Sequence, residues 1–135
     1  MFANYAYVYV EDDPLSREIM QVLMENAMDI RSLTIFDSSE DFMGRMQALP
    51  RIPDLIMLDI HVKPFNGFEM LNQLQANPAY QHAKVIALTA SVMNEEIEKL
   101  RTSGFDGAIA KPVSIQTFPD MIARVLSGEA IWYGA

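Results

Sequence analysis

Residues 53–60 read PDLIMLDI, and this stretch is the clearest indication of the fold class. The apolar run Leu55 to Leu58 has the length of a strand buried on both faces, and Asp59 follows it directly. No helical pattern begins before Asn66, so Asp59 is expected to end a strand rather than to cap the next helix. The stretch therefore predicts an acidic side chain at the carboxyl edge of a buried parallel sheet.

Runs of the same kind recur along the chain, each before a polar turn and a helical pattern: Tyr5 to Val10, Leu33 to Phe36, Val85 to Leu88 and Ala108 to Ala110. Five such β-α units predict an α/β, doubly wound fold with a parallel sheet covered by helices on both faces. The chain has 135 residues, half of them hydrophobic, which suits one domain. We expect that domain over residues 1–128 and a short tail over 129–135.

The first helix is predicted to begin at Pro14 with Asp13 as its cap. Its apolar face is expected to consist of Leu15, Ile19, Val22, Leu23 and Ala27. Capping pairs predict that the second helix starts at Asp37, with Glu40, and the third at Asn66, with Glu69. The fourth and fifth helices are predicted to start at about Met93 and at Thr117. Gly104 and Gly128 are expected to end the fourth and fifth helices.

Composition narrows the possible functions. The net charge of −8 argues against binding to nucleic acid or to an anionic membrane, since both require a basic face. The absence of cysteine excludes disulfides and thiolate chemistry. No apolar run approaches the roughly 20 residues of a membrane helix, and the first residues do not resemble a leader peptide. We therefore expect a soluble, cytoplasmic protein.

Polar residues directly after the strands should meet at the carboxyl edge of the sheet, where such folds bind ligands. They are Glu11, Asp12 and Asp13 after the first strand, Asp59 after the third, Thr89 after the fourth, and Lys111 with Pro112 after the fifth. Converging carboxylates repel one another unless a cation neutralises them, and oxygen ligands of this kind suit Mg²⁺. Beside that ion an aspartate can attack phosphorus, while a lysine and a threonine stabilise the transferring oxygens. Asp13 is better interpreted as a helix cap.

Four segments in order carry a family resemblance: VEDDP at 10–14, PDLIMLDI at 53–60, IALTAS at 86–91 and GFDGAIAKP at 104–112. They resemble the receiver domain of two-component (phosphorelay) response regulators, over about residues 5 to 127. The resemblance implies a flavodoxin-like sheet of five strands in the order 2-1-3-4-5, with five helices. It also implies a stand-alone switch that is not an enzyme.

The resemblance implies a role for each site residue. Asp59 would accept the phosphoryl group from a histidine kinase or a histidine phosphotransfer protein, and a downstream protein target would read the change. Thr89 would be the switch hydroxyl and Lys111 the cation on the phosphoryl group. The Mg²⁺ ligands would be Glu11, Asp12, Asp59 and the backbone carbonyl of His61, with Asp12 favoured as a direct ligand.

The chain departs from the family pattern in three ways that matter, one of which is that His61 and Ser91 flank the site and should influence how easily water attacks the acyl phosphate. The proline expected four residues after the phosphoacceptor is displaced to Pro64, although Gly67 is in place. The aromatic residue common three positions before the lysine is replaced by Ala108. We therefore predict that activation is read through the loop after Thr89 and the fourth helix. An alternative is an interaction module of the same fold that works without phosphorylation. A phosphatase that uses an aspartate nucleophile is disfavoured, because His61 occupies the place of its second aspartate.

Overall fold

Six parallel strands form the centre of the protein in the computed structural model, which describes residues 2–91 and 93–132. Neighbouring strands pair in the order β2-β1-β3-β4-β5-β6. Their bounds are β1 (Tyr7–Val10), β2 (Leu33–Phe36), β3 (Leu55–Asp59), β4 (Lys84–Thr89), β5 (Gly107–Ala110) and β6 (Ile131–Trp132). The predicted α/β class and the order 2-1-3-4-5 are confirmed, and the described residues add one short strand beside β5.

Five α-helices lie in the described part of the chain: α1 (Pro14–Gln21), α2 (Phe42–Gln47), α3 (Gly67–Gln75), α4 (Asn94–Ser103) and α5 (Phe118–Leu126). A π-helical segment, Val22–Ala27, continues α1. Across residues 2–91 and 93–132, every helix is too short or too polar to cross a bilayer.

The inner strands β1, β3, β4 and β5 are buried on both faces because their side chains alternate between two apolar clusters. In β3, Ile56 and Leu58 face the cluster that α2, α3 and α4 cover, while Leu55 and Met57 face the cluster that α1 and α5 cover. This explains why the strands read as continuous apolar runs. It also brings the residues after each strand to one edge of the sheet.

Most of the predicted helix boundaries are confirmed. The carboxylate of Asp13 caps α1 by accepting a hydrogen bond from the Ser16 amide at 2.9 Å. Asn66 and Glu69 form the expected capping box of α3. Gly104 ends α4 in a left-handed conformation, with φ 108°, and α5 begins directly after Thr117.

The predicted start of α2 at Asp37 is wrong, since the helix begins only at Phe42. The segment between β2 and α2 instead carries Ser39, which is fully buried against the loop after β3. The Ser39 hydroxyl donates to the Phe65 carbonyl and accepts from the Phe65 amide, both at 2.7 Å. These tertiary bonds outweigh the local capping signal of Asp37 and Glu40.

The predicted apolar face of α1 is only partly correct, since Leu23 is buried in the core as expected but the other predicted residues are not. Leu15, Ile19 and Val22 are 63%, 46% and 53% exposed, whereas Met20 and Met24 are buried against the sheet. The helix carries two apolar stripes one residue apart, and periodicity alone does not distinguish them. The stripe without a partner inside the chain is therefore a surface feature of this protein.

β6 lies within the predicted tail and closes the edge of β5. Ile131 pairs with Gly107 and Trp132 pairs with Ala108. Gly107 is required here because a Cβ at this position would lie 2.8 Å from the Ile131 carbonyl oxygen. Ile131 is buried among the side chains near α5, and Trp132 packs on the opposite face of the sheet. Tyr133, in the same predicted tail, lies outside the described residues.

Candidate functional site

Three carboxylates converge at the carboxyl edge of the sheet. β1 and β3 are paired with Val10 opposite Leu58, so Glu11 and Asp59 are level with each other. Carboxylate oxygens of Glu11, Asp12 and Asp59 all lie within 4.8 Å of one another. Glu11 is 1% and Asp59 5% exposed, while Asp12 is open to solvent. This set of oxygen donors fits a hard divalent cation that keeps some of its water.

Lys111 provides the positive charge of this cluster from the end of β5. Its Nζ atom lies 2.6 Å from Glu11 Oε1 and 3.6 Å from Asp59 Oδ1. The ammonium group therefore contacts both buried carboxylates but is bound more closely to Glu11. Such pairing is what allows two carboxylates to remain buried side by side.

Tyr9 is a member of this cluster that the motifs did not reveal. Its hydroxyl donates to Glu11 Oε1 at 2.8 Å, the same oxygen that Lys111 contacts. The amide of Asp13 donates to the other oxygen of Glu11 at 3.2 Å. A signal was available, because residues two apart on a strand point to the same face and a buried tyrosine hydroxyl needs a partner.

Thr89 and His61 flank the cluster. Thr89 is buried, and its hydroxyl donates to the Ser91 carbonyl at 3.2 Å and accepts from the Ser91 amide at 3.1 Å. That hydroxyl is therefore engaged with the loop that follows β4. The His61 side chain is exposed, and its backbone amide donates to the Asp59 carboxylate.

The loop between β3 and α3 is held close to Asp59. The amide of Gly67 donates to the Ile60 carbonyl at 3.0 Å. A Cβ on Gly67 would lie 3.0 Å from Ile60 Cα and 3.2 Å from the Asp59 carbonyl oxygen, so glycine permits this close approach. Together with the bonds of Ser39 to Phe65, this contact determines the shape of the loop despite the displaced Pro64.

The environment moves the pKa values of the two buried carboxyl groups in opposite directions. Burial, and then the charge of Glu11, raise the pKa of Asp59 to about 6. Burial alone would raise the pKa of Glu11 as well, but hydrogen bonds from Lys111 and Tyr9 outweigh it and lower that pKa. Burial and the bond to Glu11 raise the pKa of Tyr9 far above its usual value, so its hydroxyl keeps the proton it donates.

Asp59→Asn is expected to raise the free energy of unfolding of the metal-free protein at neutral pH by about 1 kcal/mol. The pKa of Asp59 rises from 3.8 to about 6 on folding, so the folded state holds this proton more tightly. The resulting stabilisation is complete below pH 3.8 and is lost as the pH rises through about 6. Asparagine removes the unfavourable charge that remains above that range.

Urea unfolding in the presence of a chelator, at several pH values, measures this effect. The difference in free energy of unfolding between the two chains should shrink as the pH falls from neutral toward about pH 3, where Asp59 is protonated in both the folded and the unfolded state. If Asp59→Asn is less stable than the wild type at neutral pH, the negative charge of Asp59 does not destabilise the folded protein.

Residues 8–123 match the model of the response regulator receiver domain family. The chain is 35% identical over 119 residues to the polar-differentiation response regulator DivK of Brucella ovis, covering 87% of this chain and 92% of that protein. It is 31% identical over 122 residues to the nitrate/nitrite response regulator protein homolog of Haemophilus influenzae, covering 90% of this chain but only 57% of that relative.

The fold has close counterparts among solved structures. One is the receiver domain of a sensor histidine kinase from Pseudomonas aeruginosa, described with a magnesium ion coordinated in its active site cleft. It superposes with a TM-score of 0.78 at 18% sequence identity and covers 91% of this chain and 98% of that one. The family match spans most of the chain and contains every residue of the carboxylate and lysine cluster. The chain therefore belongs to the response regulator receiver domain family, a family of signalling modules.

Proposed function

We propose that this protein accepts a phosphoryl group on Asp59 from a histidine kinase or a histidine phosphotransfer protein, and so switches its contacts with a downstream protein. The observation that carries the proposal is the placement of Asp59 beside Glu11, Asp12 and Lys111. A nucleophile, a cation and carboxylate oxygens for a metal are what phosphoryl transfer to an aspartate requires.

The transfer exchanges one bond to phosphorus for another. An oxygen of the Asp59 carboxylate attacks the phosphorus of a phosphohistidine on the partner, an O–P bond forms and the N–P bond breaks. The leaving imidazole nitrogen takes up a proton. Lys111 neutralises the charge on the phosphoryl oxygens, and its position 3.6 Å from Asp59 Oδ1 places it within a short side-chain movement of them.

Mg²⁺ fits the carboxylate oxygens described above. The side chains of Glu11, Asp12 and Asp59, with the backbone carbonyl of His61, would hold it. The magnesium ion in the Pseudomonas aeruginosa receiver domain supports this part of the proposal. When bound, the ion supplies positive charge to oxygens of the transferring group.

The exposed apolar stripe of α1 supports docking of the donor protein. Leu15, Ile19 and Val22 line an open groove of about 650 Å³ together with Ile115 from the loop after β5. We refer to these four residues as the α1 surface. It borders the site because α1 begins directly after Asp13 and the loop with Ile115 follows Lys111. We propose that it binds an apolar helix face of the phosphohistidine donor, which must bring its imidazole to Asp59.

The signal is proposed to leave through the loop after β4 and through α4. Thr89 is buried at the end of β4 and bonded to Ser91, so a phosphoryl group that draws its hydroxyl inward would break these loop bonds. Ala108, which replaces the usual aromatic residue, is fully buried beside Trp132 of β6. A change in the loop alters the surface of α4, which a protein partner can read.

Intact mass measurement after incubation with acetyl phosphate tests the proposal. We expect an increment of one phosphoryl group that requires Mg²⁺ and is absent from Asp59→Asn. Asp54→Asn is a matched control, because Asp54 lies just before the other end of β3 and bonds to the Ala6 amide there. If the wild type gains no increment with Mg²⁺, the chain is better explained as an interaction module that works without phosphorylation.

A further inference from the structure

Tyr9 has a place in the site that the proposed chemistry leaves unexplained. We propose that Tyr9 is a positioning residue, whose hydroxyl holds Glu11 when Lys111 leaves it to bind the phosphoryl group on Asp59. The inference rests on the proposed function, and it adds a residue from the interior of β1 to the site. Tyr9 does not touch the transferring group and acts through Glu11 and Lys111.

The geometry shows a shared acceptor. Glu11 Oε1 accepts from Lys111 Nζ at 2.6 Å and from the Tyr9 hydroxyl at 2.8 Å. Lys111 Nζ is a full ångström farther from Asp59 Oδ1, at 3.6 Å. In this arrangement the lysine is held by Glu11 rather than by the nucleophile. A phosphoryl group on Asp59 must therefore compete with Glu11 for the ammonium group.

Moving Lys111 away from Glu11 costs free energy, and the hydrogen bond from Tyr9 reduces that cost. Glu11 is 1% exposed, so water does not readily replace a donor that its Oε1 atom loses. A buried carboxylate oxygen without a donor is strongly unfavourable. Tyr9 is equally buried and its ring is packed in the cluster near α1 and α5, so its hydroxyl stays in place while the flexible lysine moves. Oε1 then keeps one donor throughout the transfer.

The Tyr9→Phe variant tests this role because it removes the hydroxyl and leaves the ring. Phosphoryl uptake from acetyl phosphate, followed by intact mass, should slow by about 10-fold, the effect of losing one hydrogen bond to a charged group. Binding of beryllium fluoride, a phosphoryl mimic, in the presence of Mg²⁺ should weaken by about 10-fold as well. The affinity for Mg²⁺ alone, measured by calorimetry, should be little changed, because the carboxylate ligands remain.

Tyr7→Phe is the matched control. Tyr7 lies on the same strand, is 1% exposed like Tyr9 and belongs to the same cluster. Its hydroxyl donates to the Phe2 carbonyl at 3.1 Å, away from the carboxylates. Losing this hydroxyl should leave the rate of phosphoryl uptake and the affinity for beryllium fluoride unchanged. Circular dichroism checks that both variants are folded.

A double-mutant cycle with Lys111→Met separates positioning from packing. Without the lysine there is nothing to release, so Tyr9→Phe should no longer weaken binding of the mimic. The role assigned to Tyr9 would be overturned if Tyr9→Phe weakened binding of the mimic by the same factor in the Lys111→Met background as in the wild type. It would also be overturned if Tyr9→Phe weakened binding of Mg²⁺ alone as much as binding of the mimic. If the wild type takes up the phosphoryl group and Tyr9→Phe does so equally fast, only this inference is lost. If the wild type takes up no phosphoryl group, the proposed function is contradicted as well.

Discussion

Replacing Lys111 with methionine is expected to slow phosphoryl uptake by Asp59 by about 100-fold. The ammonium group is bonded to Glu11 and lies 3.6 Å from Asp59 Oδ1, close to where the phosphoryl oxygens would lie. Methionine keeps the length of the side chain but supplies no charge. The rate of appearance of the phosphorylated mass, with saturating Mg²⁺ and acetyl phosphate, measures the loss.

Mg²⁺ should also stabilise the Lys111→Met variant more than it stabilises the wild type. Without Lys111, two buried carboxylates at the carboxyl edge lack their positive partner, and adding the ion should raise the melting temperature more than it does in the wild type. Lys63→Met is the control, because Lys63 is exposed on the loop after β3. An uptake rate for Lys111→Met close to that of Lys63→Met would mean that the lysine does not assist transfer.

Gly107→Val is expected to detach β6 from the sheet and to lower the free energy of unfolding by about 2 kcal/mol. The new Cβ would lie 2.8 Å from the Ile131 carbonyl oxygen, and a backbone atom of a paired strand cannot move aside as a side chain does. Trp132 is the single tryptophan of the chain, and it leaves its place beside Ala108 when β6 moves. Its fluorescence should shift to longer wavelength and become more accessible to a soluble quencher.

A shortened chain that ends at Ala130 provides the control for Gly107→Val. It lacks β6, so valine at position 107 meets no opposing carbonyl, and the substitution should cost much less stability than in the full chain. If valine destabilises both chains to the same extent, the requirement for glycine arises within β5 and not from its contact with β6. Urea unfolding, monitored by circular dichroism, compares glycine with valine at position 107 in the full chain and in the shortened chain.

Much of the site was predictable because it depends on short-range patterns. A parallel strand buried on both faces reads as an uninterrupted apolar run, and the residue after it must lie at the carboxyl edge. This is why the sequence predicts that Glu11 and Asp59 lie near each other. The capping box of Asn66 and Glu69 was predictable for the same reason, since both bonds lie within one turn of helix.

The incorrect predictions share a different cause. Asp37 and Glu40 predict the start of α2, but long-range bonds of Ser39 to Phe65 keep that segment out of the helix. Periodicity predicts a face of α1 that contains Leu23, which is buried, but the sheet packs against Leu23 together with Met20 and Met24 and leaves the rest of the predicted face exposed. In both places local sequence allowed two arrangements, and contacts from distant parts of the chain selected one.

The class of the fold, the succession of β-α units along the chain and the residue types at the carboxyl edge can be read from the sequence, because each follows from burial and periodicity over a few neighbouring positions. The partners of those residues depend on the tertiary structure. That structure places Tyr9 and Lys111 on one oxygen of Glu11, leaves the α1 surface exposed, and adds β6 against Gly107. These features join residues up to 100 positions apart, and such distances are settled only when the whole chain packs.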